Sequence, residues 1–207
     1  MELERAMLSA MIHRSAEKIE TESEALCALD LAIGDGDHGA NMKRGWDAVR
    51  AKATEIAALP TGEALSTIGR TLVMTVGGAS GPLYGSFFLA AGATLERGCR
   101  LPEDLVEVVA AGVDAVGARG RSKAGEKTML DVLVPVLGVL RAEAGRPGLI
   151  GAARDAARRS AELTAPMLAR KGRAAYLGPR SVGHVDPGAK SSCLIVEAIC
   201  DSLEIRP

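Results

Sequence analysis

The 207-residue chain balances 25 Lys and Arg against 26 Asp and Glu for a formal net charge of −1. That argues against a large basic footprint for a nucleic acid, and no run approaches the ~18 uncharged apolar residues of a membrane helix. Hydrophobic residues make up 47% of the sequence but aromatics only 2%, so the core is expected to be aliphatic, a composition that suits helices better than a β-sandwich. An N-terminus carrying Glu2, Glu4 and Arg5 does not read as a secretion signal. Cys27, Cys99, Cys193 and Cys200 show no zinc or redox spacing, so reduced, mostly buried thiols in a soluble cytoplasmic protein are expected.

Helix follows helix along the chain. The first is predicted from Glu2 to about Leu26 and the second from His38 to about Ala58. A third begins at Thr61, taken as its N-cap, and ends before Gly77 and Gly78. A fourth runs from about Ser80 to Gly98. The fifth opens with Pro102, Glu103 and Asp104, carries Leu105, Val108, Val109, Gly112, Val113 and Val116 at helical spacing, and ends between Gly117 and Gly120. The sixth follows Thr128 and contains Pro135, a residue that kinks helices. The seventh is predicted over Leu149 to Arg170, with Ala152, Ala156, Ser160, Leu163 and Met167 as its stripe. The last opens at Asp186-Pro187-Gly188 and reaches about Leu203. No strand alternation, repeat or interdomain linker interrupts them. The expectation is an all-α, antiparallel up-and-down barrel or bundle of about eight helices in one domain over residues 1–207.

Connections 30–39, 77–81, 120–127 and 183–188 are rich in Gly and Asp, whereas 59–62 and 98–102 read as ordinary turns. Alternate loops of an up-down bundle lie at the same end, so the four polar loops are expected to meet at one rim, where a ligand site would lie.

Gly34-Asp35-Gly36-Asp37-His38-Gly39 matches the spacing GxGxxG, but that fingerprint needs a preceding strand, and two acids would repel a bare pyrophosphate. A hard divalent cation reverses the sign, because magnesium accepts carboxylate and phosphate oxygens together. Asp30, Asp35 and Asp37 supply three carboxylates within eight residues, and the glycines let the chain turn so that they converge. A solvated acidic turn ahead of a helix explains the same residues. Gly120 to Thr128 resembles GxxxxGK[ST], except that Glu126 separates glycine from lysine; a different phosphate or ribose loop, or a turn capped by Thr128, fits it. Gly77 to Gly81 could bring backbone N–H groups to an anion at a helix N-terminus, or Ser80 could be a plain N-cap. Lys171-Gly172-Arg173 could offer a guanidinium to phosphate, or complement a helix dipole.

Four stretches together resemble one family: LDLAIGDGDHGANM (29–42), GGASGPLYGSFFLAAG (77–92), GEKTMLDVLVPV (125–136) and KGRAAYLGPRSVGHVDPGAKSS (171–192). They are similar to the L subunit, or the equivalent C-terminal domain, of dihydroxyacetone kinases, in that family's order. The resemblance implies an eight-helix antiparallel barrel with ADP or ATP at one rim. It implies magnesium, as two ions, on Asp30, Asp35 and Asp37. Nucleotide contacts are implied at His38, Gly39, Ala40, Asn41, Ala79, Ser80, Gly120, Thr128, Met129, Arg173, Asp186, Pro187 and Gly188. Ala175 and Pro179 stand where relatives often have Ser and Glu, in a loop that would face a partner.

The implied reaction is phosphoryl transfer by positioning and charge neutralisation, with no covalent phosphoenzyme on this chain and binding or orienting roles for His38 and His184. In the family the acceptor, dihydroxyacetone, sits on a separate K subunit, and a phosphohistidine on an M-type phosphotransferase protein recharges the ADP. Two other readings share this sequence: an ADP-dependent regulator that selects a partner such as a transcription factor, and the L subunit of a kinase for a related short polyol or keto-sugar.

Overall fold

A computed structural model describes residues 2–204, and among them there are ten α-helices, one 3-10 segment and no strand. In chain order the helices are α1 (Glu2–Thr21), α2 (Ser23–Ile33), α3 (His38–Arg50), α4 (Ala53–Ala58), α5 (Thr61–Thr75), α6 (Ser80–Glu96), α7 (Leu105–Gly120), α8 (Leu130–Ala142), α9 (Leu149–Glu162) and α10 (Pro187–Glu204). The 3-10 segment spans Arg173–Ser181. No helix among the described residues is long and apolar enough to cross a membrane.

Packing partners close these helices into a ring in the order α1, α3, α5, α6, α7, α8, α9, α10 and back to α1. Short α2 continues the stave that α1 begins, and α4 lies at the base between α1 and α5. Contacts fix the directions. Asn41 near the start of α3 lies against Gly77 just after α5, and Gly120 at the end of α7 lies against Leu83 near the start of α6. Arg154 near the start of α9 pairs with Glu204 at the end of α10. Glu4 of α1 shares a surface groove with Pro60, Glu63, Glu96 and Arg100 at the opposite end from the polar loops. Neighbouring staves therefore run antiparallel, as expected, and the glycine- and aspartate-rich connections gather at one rim.

The interior is aliphatic. Ile12, Ile19, Leu26, Met42, Val49, Ile56, Leu72, Val116 and Leu130 are all buried in one cluster. Trp46 and Phe88 meet edge-to-face at 6.1 Å, and Phe87 meets Phe88 at 5.5 Å, so the few aromatics supply packing. Between α5 and α6 the backbones touch: a Cβ on Gly69 would come within 2.9 Å of the Gly85 carbonyl oxygen, and one on Gly85 equally close to that of Gly69. Only glycine permits that approach. All four cysteines are free thiols, and burial pushes those of Cys193 and Cys200 up to about 11.

Several predicted boundaries move, each for a local reason. The first helix breaks at Glu22 and resumes as α2 through Ile33, so Asp30 lies in a last helical turn rather than in a loop. The second breaks after Arg50, where the Ala51 and Lys52 N–H groups close a tight turn. Thr61 is the first helical residue of α5, Pro60 taking the cap position. The fifth begins only at Leu105, because Asp104 turns its carboxylate back onto the Arg100 N–H at 2.7 Å. The seventh stops at Glu162, not Arg170, since the Thr164, Ala165 and Met167 carbonyls are taken by the Lys127 ammonium. Its buried face is Ala153, Ala156, Ala157, Ser160 and Ala161, leaving Leu163 60% exposed. The 3-10 segment was not anticipated.

Candidate functional site

The rim surrounds a cavity of about 620 Å³, in the range of small-molecule sites. Alternating stave polarity aims four helix N-termini at it. His38 opens α3, Ala79 and Ser80 open α6, Met129 caps α8, and Pro187 and Gly188 open α10, and all of these residues line the cavity. Unpaired N–H groups and dipoles at such ends favour an anion.

The acidic triad faces the same space. Oxygens of Asp30, Asp35 and Asp37 lie within 4.8 Å of one another. Asp30 is buried in the last turn of α2, and its Oδ2 accepts the N–H groups of Asp37 at 2.9 Å and His38 at 3.2 Å. This carboxylate thus caps α3 and fixes the connection Gly34 to Asp37. A Cβ on Gly34 would come within 2.2 Å of Asp30 Oδ1, so glycine here keeps that oxygen clear. Asp35 and Asp37 are exposed, and Asp35 meets the Arg173 guanidinium at 2.5 Å. Three hard carboxylate oxygens converging beside N–H-rich helix ends fit a magnesium ion shared with phosphate oxygens.

Behind the triad runs a buried polar chain. His38 Nε2 lies 2.8 Å from Ser191 Oγ, and Nδ1 lies 3.2 Å from Ser80 Oγ. Ser191 Oγ donates to the Pro187 carbonyl at 3.0 Å. It is therefore free to accept from Nε2–H, which leaves Nδ1 to accept from Ser80. Tyr84 OH reaches Ser191 and Ser192 at 2.7 and 2.8 Å. Burial holds the His38 imidazole below its ordinary range, against the pull of the Asp30 and Asp37 carboxylates. Burial likewise raises the Tyr84 phenol.

On the opposite wall Asp186 accepts the Ala189 N–H at 2.7 Å, capping α10, as the Asp-Pro-Gly sequence predicts. Desolvation pushes its carboxyl up to about 7, with the nearby Asp131 charge adding to the effect. Asp131 itself accepts the Gly125 and Thr128 N–H groups at 2.5 and 2.7 Å, shaping the segment that resembled a P-loop. That segment follows α7, not a strand, and the Lys127 ammonium is taken up by main-chain carbonyls.

Of the residues singled out from the sequence, Asp30, Asp35, Asp37, His38, Asn41, Ala79, Ser80, Gly120, Thr128, Met129, Arg173, Asp186, Pro187 and Gly188 line this cavity. Gly39 and Ala40 do not. Gly39 is pressed against the Ser23 carbonyl of α2, and Ala40 faces outward from α3. Tyr84 and Arg119, which sequence reasoning passed over, also belong to the wall, as do Ser122, Lys127 and Lys171 from segments that it weighed. His184 contributes its carbonyl, which accepts from the Lys127 ammonium, while its side chain is exposed.

A closed barrel of antiparallel helices, with carboxylates and helix N-termini turned into one rim cavity, defines an all-α protein whose site suits a polyanion and a divalent cation together. Residues 32–201 match the model of the DAK2 domain, and the chain belongs to that family. Along nearly its whole length it is similar to ADP-binding subunits of dihydroxyacetone kinases. It is 44% identical to the PEP-dependent dihydroxyacetone kinase ADP-binding subunit DhaL of Escherichia coli, over 96% of this chain and 97% of that one. It is 42% identical to the corresponding subunit of dihydroxyacetone kinase 1 of Listeria innocua, over 88% and 89%. Among solved structures, the dihydroxyacetone kinase of C. freundii in complex with AMP-PNP and Mg2+ superposes with a TM-score of 0.77 at 28% identity, over 95% of this chain and 34% of that one.

Proposed function

We propose that this chain is the nucleotide-holding subunit of a dihydroxyacetone kinase, a single domain that binds ADP or ATP with two magnesium ions at the rim cavity. The observation that carries the reading is the meeting of opposite electrostatics in one cavity: three convergent carboxylates beside four helix N-termini. Neither half explains the other unless a cation stands between acids and anion. Similarity to ADP-binding subunits along the whole chain, and to an AMP-PNP and Mg2+ complex, supports the same ligand pair.

In this reading Asp30, Asp35 and Asp37 hold the metal. Bound magnesium would supply positive charge to offset the phosphate oxygens and the charge developing in transfer. The N–H groups of Ala79, Ser80, Gly188 and Met129 orient the phosphates and ribose, with Asn41, Gly120, Thr128 and Pro187 completing the wall. His38, tied on both ring nitrogens, holds the Ser80 hydroxyl in place and carries no covalent phosphate. Arg173 exchanges Asp35 for a phosphate oxygen when the nucleotide enters. Gly39 and Ala40 contribute through the backbone conformation of α3, since neither reaches the cavity.

The phosphoryl group then passes from a phosphohistidine on an M-type phosphotransferase protein, through the nucleotide held here, to dihydroxyacetone on a K subunit, all in the cytoplasm. Purification from cells followed by nucleotide analysis tests this directly. Resident ADP, convertible to ATP by a phosphorylated M-type protein, is the expected result. An empty site, or phosphoryl flux that proceeds without this chain, overturns it.

A further inference from the structure

Lys127 sits in the stretch that mimics a phosphate-binding loop, yet it is 1% exposed and adopts the left-handed backbone conformation at φ 61°. Its ammonium lies 2.9 Å from the Thr164 carbonyl oxygen, 3.2 Å from that of Ala165, 3.1 Å from that of Met167 and 2.5 Å from that of His184. An ammonium has three protons, so four carbonyls saturate it and none is left for a ligand. The backbone around it is pinned separately: Asp131 takes the Gly125 and Thr128 N–H groups, and the Glu126 carbonyl accepts from Arg170 N–H at 3.1 Å.

The four carbonyls belong to two other rim segments. Thr164, Ala165 and Met167 begin the excursion from the end of α9 to Lys171-Gly172-Arg173, and His184 leads into Asp186 and the N-terminus of α10. Further bonds stitch those two together: Gly183 N–H donates to the Ala165 carbonyl at 2.8 Å, and Asp186 N–H to the Thr164 hydroxyl at 3.0 Å. A single buried charge therefore joins three of the segments that wall the cavity. Without it the Met167 and His184 carbonyls would lose their donor, and those of Thr164 and Ala165 would keep only the Met167 and Gly183 N–H groups, a costly state that loops of this kind relieve by rearranging.

We propose that Lys127 is a positioning residue of the rim site: it sets the mutual placement of Thr128-Met129, Arg173 and Asp186-Pro187-Gly188, and so governs nucleotide affinity without touching the nucleotide. The inference rests on the rim cavity being the nucleotide site.

The test uses the full chain. Lys127→Met keeps the apolar stem and removes the ammonium; Lys127→Ala leaves room for n-propylammonium to replace it. Affinity for Mg-ADP is measured by calorimetry and amide exchange is followed along the backbone. Lys127→Met is expected to lose roughly tenfold or more in Mg-ADP affinity. Exchange should rise in segments 121–129, 163–170 and 182–186 while α5 and α6 stay protected. n-Propylammonium should restore several-fold affinity to Lys127→Ala and leave the native chain unchanged. Affinity within twofold of native in Lys127→Met overturns the proposal. So does lost affinity with no change in loop exchange, which would put the ammonium on the ligand, and so does global unfolding of both variants, which would make Lys127 a stability residue only. If the native chain itself fails to bind Mg-ADP, the nucleotide reading falls, while the exchange pattern still decides whether Lys127 organises the loops.

Discussion

The Asp30 carboxylate caps the helix that His38 begins, accepting its N–H at 3.2 Å. Asp30 thus has a structural duty that its two acidic neighbours lack, and the three aspartates should separate on substitution. Asp35→Asn and Asp37→Asn are expected to weaken Mg-ADP binding by tenfold or more, with unchanged helix content by circular dichroism. Asp30→Ala should weaken binding as well and also lower unfolding stability by about 1–2 kcal/mol through the lost cap. Calorimetry and denaturant titration on the same preparations check both. Unchanged Mg-ADP affinity in Asp35→Asn and Asp37→Asn would remove the metal assignment.

Gly39 illustrates a contribution to the site from outside its wall. A Cβ there would stand 1.9 Å from the Ser23 carbonyl oxygen, so Gly39→Ala must push α3 off α2. A loss of about 1–3 kcal/mol is expected from such overpacking, accompanied by weaker Mg-ADP binding because His38 rides on the displaced helix end, which Asp30 caps from α2. Thermal unfolding and calorimetry would register the two effects together; native affinity in a destabilised variant would uncouple the helix contact from the site.

Arg173 and Asp35 form an ion pair whose side chains are 64% and 37% exposed, and exposed pairs contribute about 0–1 kcal/mol. Arg173→Gln should therefore tighten the binding of bare Mn2+, read by electron paramagnetic resonance, by no more than about fivefold. The same variant should weaken Mg-ADP, since the guanidinium is lost to the phosphates. Opposite signs for metal and metal-nucleotide are the signature; a parallel loss of both would mean that Arg173 only maintains loop structure.

Asp186 predicts a pH dependence in the ligand-free chain. Burial raises its carboxyl to about 7 from the ordinary 3.8, so the folded state holds the proton more tightly than the unfolded state. The stability this group contributes is present at low pH and is lost as pH rises between those two values. Asp186→Asn keeps a capping oxygen and abolishes the titration. The difference in Tm between native and variant chains should grow in favour of the variant from pH 4 to pH 7 and then level off. A constant difference across that range would show that Asp186 is ordinarily ionised.

The barrel was legible because it is written in local terms: aliphatic residues at helical spacing, Asp-Pro-Gly before the last helix, and polar connections alternating with plain ones. The acidic triad was legible for the same reason, being contained within eight residues. What escaped depends on partners distant in sequence. The true end of α9 is set by Lys127, 37 residues before the Thr164 carbonyl that it holds. Tyr84 reaches Ser192 across 108 residues. The break between α1 and α2 carries no proline or glycine to announce it. The family resemblance implied Gly39 as a ligand contact, and its lack of a side chain also serves the fit of α3 against Ser23, a contact distant in sequence.

The ring has an even number of staves, and this constrains how such a protein can change. Inserting one full helix between any two staves would leave a pair of parallel neighbours and turn every later helix end over, sending half of the ligand-facing amides to the base. Growth by helical pairs, or by enlarging a connection as between α9 and α10, preserves the orientation of everything downstream. Variation within this architecture should therefore collect in loop excursions and paired additions, with the parity of the ring left untouched.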